Sequence, residues 1–391
     1  MSNRRTFRES IKRALSERKK EHRFRSLKSL SPIPGTSRIE FNGKEYINFC
    51  SNDYLGLATH PEVIRRSKEF TARFGTGSGA SRLVSGSLDI HQQLEEKLST
   101  VLDLDAVLLF NSGFQANTTI LSSIAGKRSL ILADKKCHNS LIQGALLSRA
   151  TFKRFRHNDY EHLENMLIES RSEGYDQIWV VSETVFSMDG DRSDSMKLVG
   201  LCEKYSVMLY LDDAHALGVL GENGLGLNYK REGIELSLGT FGKAFGAFGA
   251  FAGCSRDLKD YLINFCPGFI YTTALPPSVI GAVDAALDLI PSMDIQRTFL
   301  MENVAYLKEE LAKADFETGV SNSQIIPIII GTEEETVKLS VFLESHGFLA
   351  SAIRPPTVEA GASRIRVTLT TNHTKEEVDQ LIEVLKAWRN R

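Results

Sequence analysis

The apolar positions of this chain change period as it proceeds. Phe7, Ile11 and Leu15 recur every fourth residue in a basic stretch, which predicts an amphipathic helix with a solvated polar face. Residues 38–49 alternate instead, with Ile39, Phe41, Tyr46, Ile47 and Phe49 arranged around Asn42-Gly43, the signature of a short hairpin. Ile90, Leu94, Leu98, Val101 and Leu102 return to helical spacing. From residue 106 short unbroken apolar runs take over: 106–110, 129–133, 177–182 and 207–212 read as strands. Helices start at Ser112 and near Asn139, and another covers 196–205. Strands that are apolar throughout and separated by helices predict a mostly parallel sheet covered on both faces.

Two prolines in Tyr271-Thr-Thr-Ala-Leu-Pro-Pro277 break this pattern, and a helical region then runs to about residue 313. Beyond it, 324–330, 349–353 and 364–369 read as strands and 333–345 as a helix. Thr374-Lys-Glu-Glu377 is a capping box that opens a final helix. The expected organisation is an arm helix and hairpin over 1–50, a large domain over 51–290 and a small α/β domain over 291–391.

Composition narrows the function without choosing it. The chain has 391 residues, with 47 Lys and Arg against 49 Asp and Glu, so its net charge of -2 offers no field for nucleic acid or an anionic membrane. No apolar run is long enough to span a bilayer. The odd number of cysteines, five, without a C-x-x-C pair, fits reduced thiols in the cytoplasm rather than disulfides or a zinc site. The first 28 residues are basic, yet Glu9, Glu17 and Glu21 and the lack of an apolar core favour a solvated helix over a cleaved presequence.

In a parallel sheet, ligands bind beyond the carboxyl ends of the strands. The residues at those ends are polar: Ser112-Gly-Phe114, Asp134 with His138 after it, Glu183 with Ser187, and Asp212-Asp-Ala-His215. Ser237-Leu-Gly-Thr-Phe-Gly-Lys-Ala-Phe-Gly-Ala-Phe-Gly249 isolates Lys243 among small and apolar residues, where an amine loses charge more readily and can form a Schiff base. A phosphate-binding Walker loop needs Ser or Thr after the lysine, and Ala244 stands there. A lysine for an aldehyde and a carboxylate for a pyridine nitrogen are what pyridoxal phosphate requires. Ser112 opens a helix whose free N–H groups suit a phosphate, although the same serine is also an ordinary N-cap. His138 could lie on a cofactor ring or be a capping residue. Asp212, Asp213 and His215 lack further ligands at metal spacing. Arg364 and Arg366 share one strand face, placed either to grip a carboxylate or on a surface edge.

Together these residues resemble the α-oxoamine synthases, fold-type-I pyridoxal phosphate enzymes, over nearly the whole chain from Ser51-Asn-Asp-Tyr-Leu-Gly56. The run Ala352-Ile-Arg-Pro-Pro-Thr-Val to Gly361-Ala-Ser-Arg-Ile-Arg-Val-Thr-Leu-Thr is most similar to the biotin-pathway branch. The resemblance implies a mostly parallel seven-stranded sheet with helices on both faces, a small C-terminal α/β domain, and a homodimer with shared active sites. It implies that Lys243 binds the cofactor aldehyde and moves the α-proton, Asp212 holds the pyridine nitrogen, His215 and Ser187 hold the phenolic oxygen, and His138 stacks on the ring. Glu183 belongs to the same rim. Ser112, Gly113, Phe114 and Thr240 are implied at the phosphate, with Thr272 or Thr273 from a partner subunit. Arg366 is implied at the amino acid carboxylate, and Arg25, Asn52 and Thr357 near the substrates. The implied reaction joins L-alanine to a pimeloyl thioester on CoA or acyl carrier protein. Other members use glycine with acetyl-CoA or serine with a long acyl-CoA, and a catalytically dead partner subunit is the non-enzyme alternative. Ala216-Leu217 after His215 departs from the biotin-pathway pattern toward the glycine-using one.

Overall fold

The computed structural model describes residues 3–391. The chain forms two compact units, one from residues 52–187 and 191–298, the other from 1–51, 188–190 and 299–391. Ser2 and Met1 lie outside the described residues.

The second unit is built from both ends of the chain. The helix Asn3–Lys20 buries no residue, as its basic composition predicts. It leads to β1 (Ser31–Pro32), β2 (Arg38–Phe41) and β3 (Lys44–Asn48). The β2–β3 hairpin turns at Asn42 and Gly43, whose φ angles of 52° and 71° are the positive values that the Asn-Gly pair tolerates. Ser37 Oγ donates to Glu377 Oε2 at 2.6 Å, and Arg38 pairs with the other oxygen of Glu377 at 3.3 Å. The C-terminal helix Lys375–Arg389, capped reciprocally by Thr374 and Glu377, is thereby tied to the hairpin.

The other unit carries the main sheet. Its strands are β4 (Ala106–Phe110), β5 (Ser129–Asp134), β6 (Thr151–Phe155), β7 (Gln177–Glu183), β8 (Met208–Asp212), β9 (Leu236–Thr240) and β10 (Ala250–Cys254), in the order β4-β10-β9-β8-β7-β5-β6. All pairs are parallel except those of β10, which runs against both β4 and β9. Alternate residues of one strand feed different cores. Ile131, Ala133 and Tyr210 pack in one cluster with Ile120 and Leu141, while Leu130, Leu132, Leu209 and Leu211 pack in another with Leu163 and Leu198. Helices cover both faces, which is why the strands read as unbroken apolar runs.

Three strands of the main sheet were not legible as such. β6 is a half-exposed strand with Lys153 and Arg154 at its centre, and β9 and β10 are rich in small residues on either side of the lysine segment. In the terminal unit the expected strand 349–353 is two short ones. β12 (Phe348–Leu349) pairs with β3, and β13 (Ser351–Ile353) pairs with β14 (Ser363–Thr368), which lies between β13 and β11 (Ile325–Gly331). No helix among the described residues is long and apolar enough to cross a membrane, and all five cysteines are free thiols.

Gly246 has φ 60°, and a Cβ there would lie 2.1 Å from the backbone N of Ala58. Gly246→Ala is expected to destabilise the protein by about 2–3 kcal/mol, seen as a lower urea midpoint; an unchanged midpoint would mean that this close approach is not rigid.

Candidate active site

The carboxyl ends of β4, β5, β7, β8 and β9 open on one cavity of ≈ 220 Å³ lined by Ser112, Gly113, His138, Glu183, Asp212, His215, Thr240 and Lys243, with Phe114 and Phe248 at its mouth. Nine of the residues expected from the sequence therefore meet in one place: Ser112, Gly113, Phe114, His138, Glu183, Asp212, His215, Thr240 and Lys243.

Lys243 owes its position to the antiparallel return of β10. Between β9 and β10 the loop is closed by Phe241 N to Gly249 O at 2.9 Å, Ala247 N to Phe241 O at 2.9 Å and Gly246 N to Lys243 O at 2.9 Å. Phe241, Ala244 and Phe245 are anchored in the core at 0–1 % exposure, so the lysine stem rises from a fixed base.

Asp212 ends β8 and is 5 % exposed. Its oxygens accept from Asn117 Nδ2 at 2.8 Å and from Ala214 N at 3.0 Å. Asn117 is itself oriented by Tyr210, whose hydroxyl donates to Oδ1 at 2.5 Å, and its second amide hydrogen reaches Ser140 Oγ at 2.9 Å. Ser140 N donates to His138 Nδ1 at 3.2 Å, and the Ser140 hydroxyl lies 2.7 Å from the same nitrogen. Nδ1 is thus an acceptor, which leaves the His138 proton on Nε2. Burial pushes the His138 pKa down, with Lys243 acting in the same direction and Asp212 against it. The ring is neutral and can lie against a flat ligand.

Glu183, at the end of β7, accepts the backbone N–H of His138. Burial, reinforced by Asp212, raises its pKa well above the ordinary carboxylate range. His215 Nδ1 lies 2.6 Å from the hydroxyl of Tyr54, which also reaches Asn52 Oδ1 at 3.3 Å. Asp213 turns away from the cavity lining, bonding Thr184 Oγ1 at 2.5 Å.

The remaining expected residues stand elsewhere. Ser187 is buried beyond the end of β7 and does not line the cavity. Thr272 and Thr273 are held by Asn111 Nδ2 at 2.8 and 2.9 Å, one residue before Ser112. Arg25, Thr357 and Arg366 belong to the unit built from the chain ends, where Arg25 donates to Thr357 Oγ1 at 3.1 Å and Arg366 to Thr368 Oγ1 at 2.8 Å. Arg364 and Arg366 are both buried on the central strand of their sheet, so neither is a surface arginine on an edge. Arg364 pairs with Asp189 at 2.6 Å. Tyr54, Asn117, Ser140 and Phe248 were missed; of these, Asn117 and Ser140 sit one turn or less from residues already singled out.

A family model for aminotransferase class I and II matches residues 44–385. A Desulfosudis oleivorans protein provisionally named 8-amino-7-oxononanoate synthase is 46% identical over 379 residues, covering 97% of this chain and 98% of its own. The 8-amino-7-oxononanoate synthase of Gluconacetobacter diazotrophicus is 42% identical over 366 residues, covering 91% and 92%. Among solved structures, a lysine-to-alanine variant of serine palmitoyltransferase from S. paucimobilis with a PLP–myriocin adduct bound matches with TM-score 0.87 and 27% identity over 92% of each chain. The chain belongs to the aminotransferase class I and II family, and its fold is that of the fold-type-I transferases that depend on pyridoxal phosphate (PLP). Within that class it is a PLP-dependent acyltransferase of the α-oxoamine synthase branch, similar to 8-amino-7-oxononanoate synthases.

The cavity fits that cofactor on its own chemistry. Thr240 Oγ1 is buried and has no hydrogen-bond partner among the described residues, a donor left over beside the N-terminus of the helix Gly113–Ile124. A phosphate there would satisfy it together with the free N–H groups of the first turn. A Cβ at Gly113 would come within 2.5 Å of Thr240 Cγ2, so only glycine leaves this end open. Gly113→Ala is expected to weaken PLP binding by roughly tenfold, measured by absorbance titration of the apoprotein; unchanged affinity would move the phosphate elsewhere.

Proposed function

We propose that this enzyme condenses L-alanine with a pimeloyl thioester, carried by CoA or acyl carrier protein, and releases CO2 and the thiol to give 8-amino-7-oxononanoate in biotin biosynthesis. The observation that carries the reading is the convergence of Lys243, Asp212, His138 and His215 on one cavity beside an unsatisfied phosphate-type cradle. Support for the substrates comes from the relatives named for this reaction at 42–46% identity.

When bound, PLP supplies an aldehyde for the amino group and an electron-withdrawing ring for the charge that develops at the α-carbon. Asp212, kept in place by Asn117 and Ala214 N, holds the proton on the ring nitrogen. Neutral His138 covers the ring face. His215 binds the phenolic oxygen from the cavity wall, Ser187 reaches the same oxygen from just outside the lining, and Tyr54 fixes the His215 ring. Ser112, Gly113, Phe114 and Thr240 hold the phosphate, and Glu183 supports the His138 backbone. The Lys243 amine takes the proton from the α-carbon of alanine, and that carbon then displaces the thiol from the acyl group. Arg366 binds the alanine carboxylate with its planar fork, and Arg25, Asn52 and Thr357 receive the acyl thioester.

The working form is a homodimer in the cytoplasm, with Thr272 or Thr273 of one copy completing the phosphate site of the other. Tyr271 at 84% and Val84 at 79% exposure supply apolar surface for such an assembly, and the five free thiols suit a reducing compartment. A second reading, serine with a long acyl-CoA, is favoured by the match to serine palmitoyltransferase.

Thiol release by the purified holoenzyme, with L-alanine, glycine or L-serine against pimeloyl-CoA, acetyl-CoA and palmitoyl-CoA, separates these. Fast release with alanine and pimeloyl-CoA alone is expected, and a preference for serine with palmitoyl-CoA would replace the substrates while keeping the chemistry. Lys243→Ala should lower turnover by at least about a thousandfold with an unchanged circular dichroism spectrum; appreciable product from it would remove Lys243 from its role.

A further inference from the structure

Outside the cavity lining, one histidine lies between two carboxylates. His157 follows β6, with Nδ1 2.8 Å from Asp134 Oδ1 and Nε2 2.7 Å from Asp191 Oδ2. Its ring meets Phe186 edge-on, with centroids 4.5 Å apart at 88°. Both carboxylates are nearly sealed from water, and the histidine side chain is only 16% exposed.

Each carboxylate also grips backbone that leads to a site residue. Asp134 ends β5 and accepts Lys136 N at 2.8 Å and Asn158 N at 2.9 Å, so it shapes the turn that ends at His138. The carbonyl of Asp191 accepts Phe186 N at 2.9 Å, and its carboxylate takes Asn158 Nδ2 at 3.0 Å, fixing the segment that presents Ser187. Two buried carboxylates need a cation between them, since either one left uncompensated is costly. Burial alone would lower the His157 pKa, but the two carboxylate bonds outweigh it and raise it to about 9.

We propose that His157 is a positioning residue for the cofactor site: by bridging Asp134 and Asp191 it locks the turn carrying His138 to the segment carrying Ser187. This inference rests on the reading of His138 and Ser187 as cofactor residues given above. A neutral side chain at 157 leaves two carboxylates facing each other without a cation, the two segments part, and the grip on the ring of PLP loosens without any change in the groups that touch it.

The test is a double-mutant cycle on PLP binding, read by the dissociation constant from titration of the apoprotein and by the visible absorption band of the bound cofactor. His157→Gln is expected to raise the dissociation constant roughly tenfold and to shift the band in the same direction as Ser187→Ala. The two together should be no worse than the worse single variant, because groups acting through one network are not additive. A folded His157→Gln with unchanged constant and band, or effects that add fully, would show that His157 only supports the fold and would overturn the proposal. An unaffected Ser187→Ala would instead defeat the reading of Ser187 as a cofactor residue, and the proposal with it. If His157→Gln does not fold, Asp191→Asn takes its place in the same cycle with the same outcomes.

The pH dependence of stability gives an independent readout of the charge. Below pH 6.5 His157 is protonated folded and unfolded, and the bridge contributes fully; as pH rises from 6.5 through about 9 only the folded state keeps the proton, so the contribution is lost. The urea-stability gap between wild type and His157→Gln should therefore be wide at pH 6 and close by pH 9.5; a gap independent of pH would mean that His157 is neutral in the native state.

Discussion

A buried carboxylate is costly unless hydrogen bonds replace its lost hydration, and Asp212 is the carboxylate on which this molecule depends. Its two bonds come from Asn117 and the Ala214 backbone, and meeting them organises everything around it. Asn117 must sit one turn into the helix after β4, Tyr210 must point from β8 to the same amide, and Ser140 must complete the amide's second bond. Through Ser140 the demand reaches His138, whose tautomer is thereby set. One carboxylate at a strand end thus fixes two helix N-termini and an imidazole around one cavity.

What could be read from the sequence follows from what is local. β4, β5, β7 and β8 were visible because each is a short apolar run followed by polar residues, and of those Ser112, His138, Glu183, Asp212 and His215 line the cavity. The Asn42-Gly43 turn and the Thr374 capping box were visible because each needs only four neighbouring residues. β9 and β10 were hidden, since Gly, Ala and Ser at their positions carry little strand preference and their pairing with each other is what makes them strands. β6, with basic residues at its centre, gave no apolar run.

The residues that were missed share a cause as well. Asn117, Tyr54 and Ser140 act through bonds to residues 95, 161 and 23 positions away in the chain, and no spacing rule anticipates such partners. Lys243 was conspicuous for the opposite reason: the loop that holds it is short and closed, so its glycines and buried phenylalanines stand next to it in sequence. The resemblance supplied roles for Arg25 and Thr357 that neither periodicity nor charge could have supplied, and it singled out Arg366 from the pair Arg364 and Arg366.

The unit assembled from both chain ends has a consequence for how the protein is made. β3 pairs with β12, about 300 residues downstream, and Ser37 bonds Glu377, 340 residues away. On the ribosome this hairpin emerges before the main sheet, yet it has to wait for about 300 further residues before it meets its partners. The sheet formed by residues 106–254 is complete long before then. Synthesis therefore favours an order in which the cofactor cavity is framed while the first fifty residues are still unpartnered. During that interval the edge of β3 that β12 will cover is open to wrong pairing, and the basic segment ahead of it places like charges that disfavour such contacts.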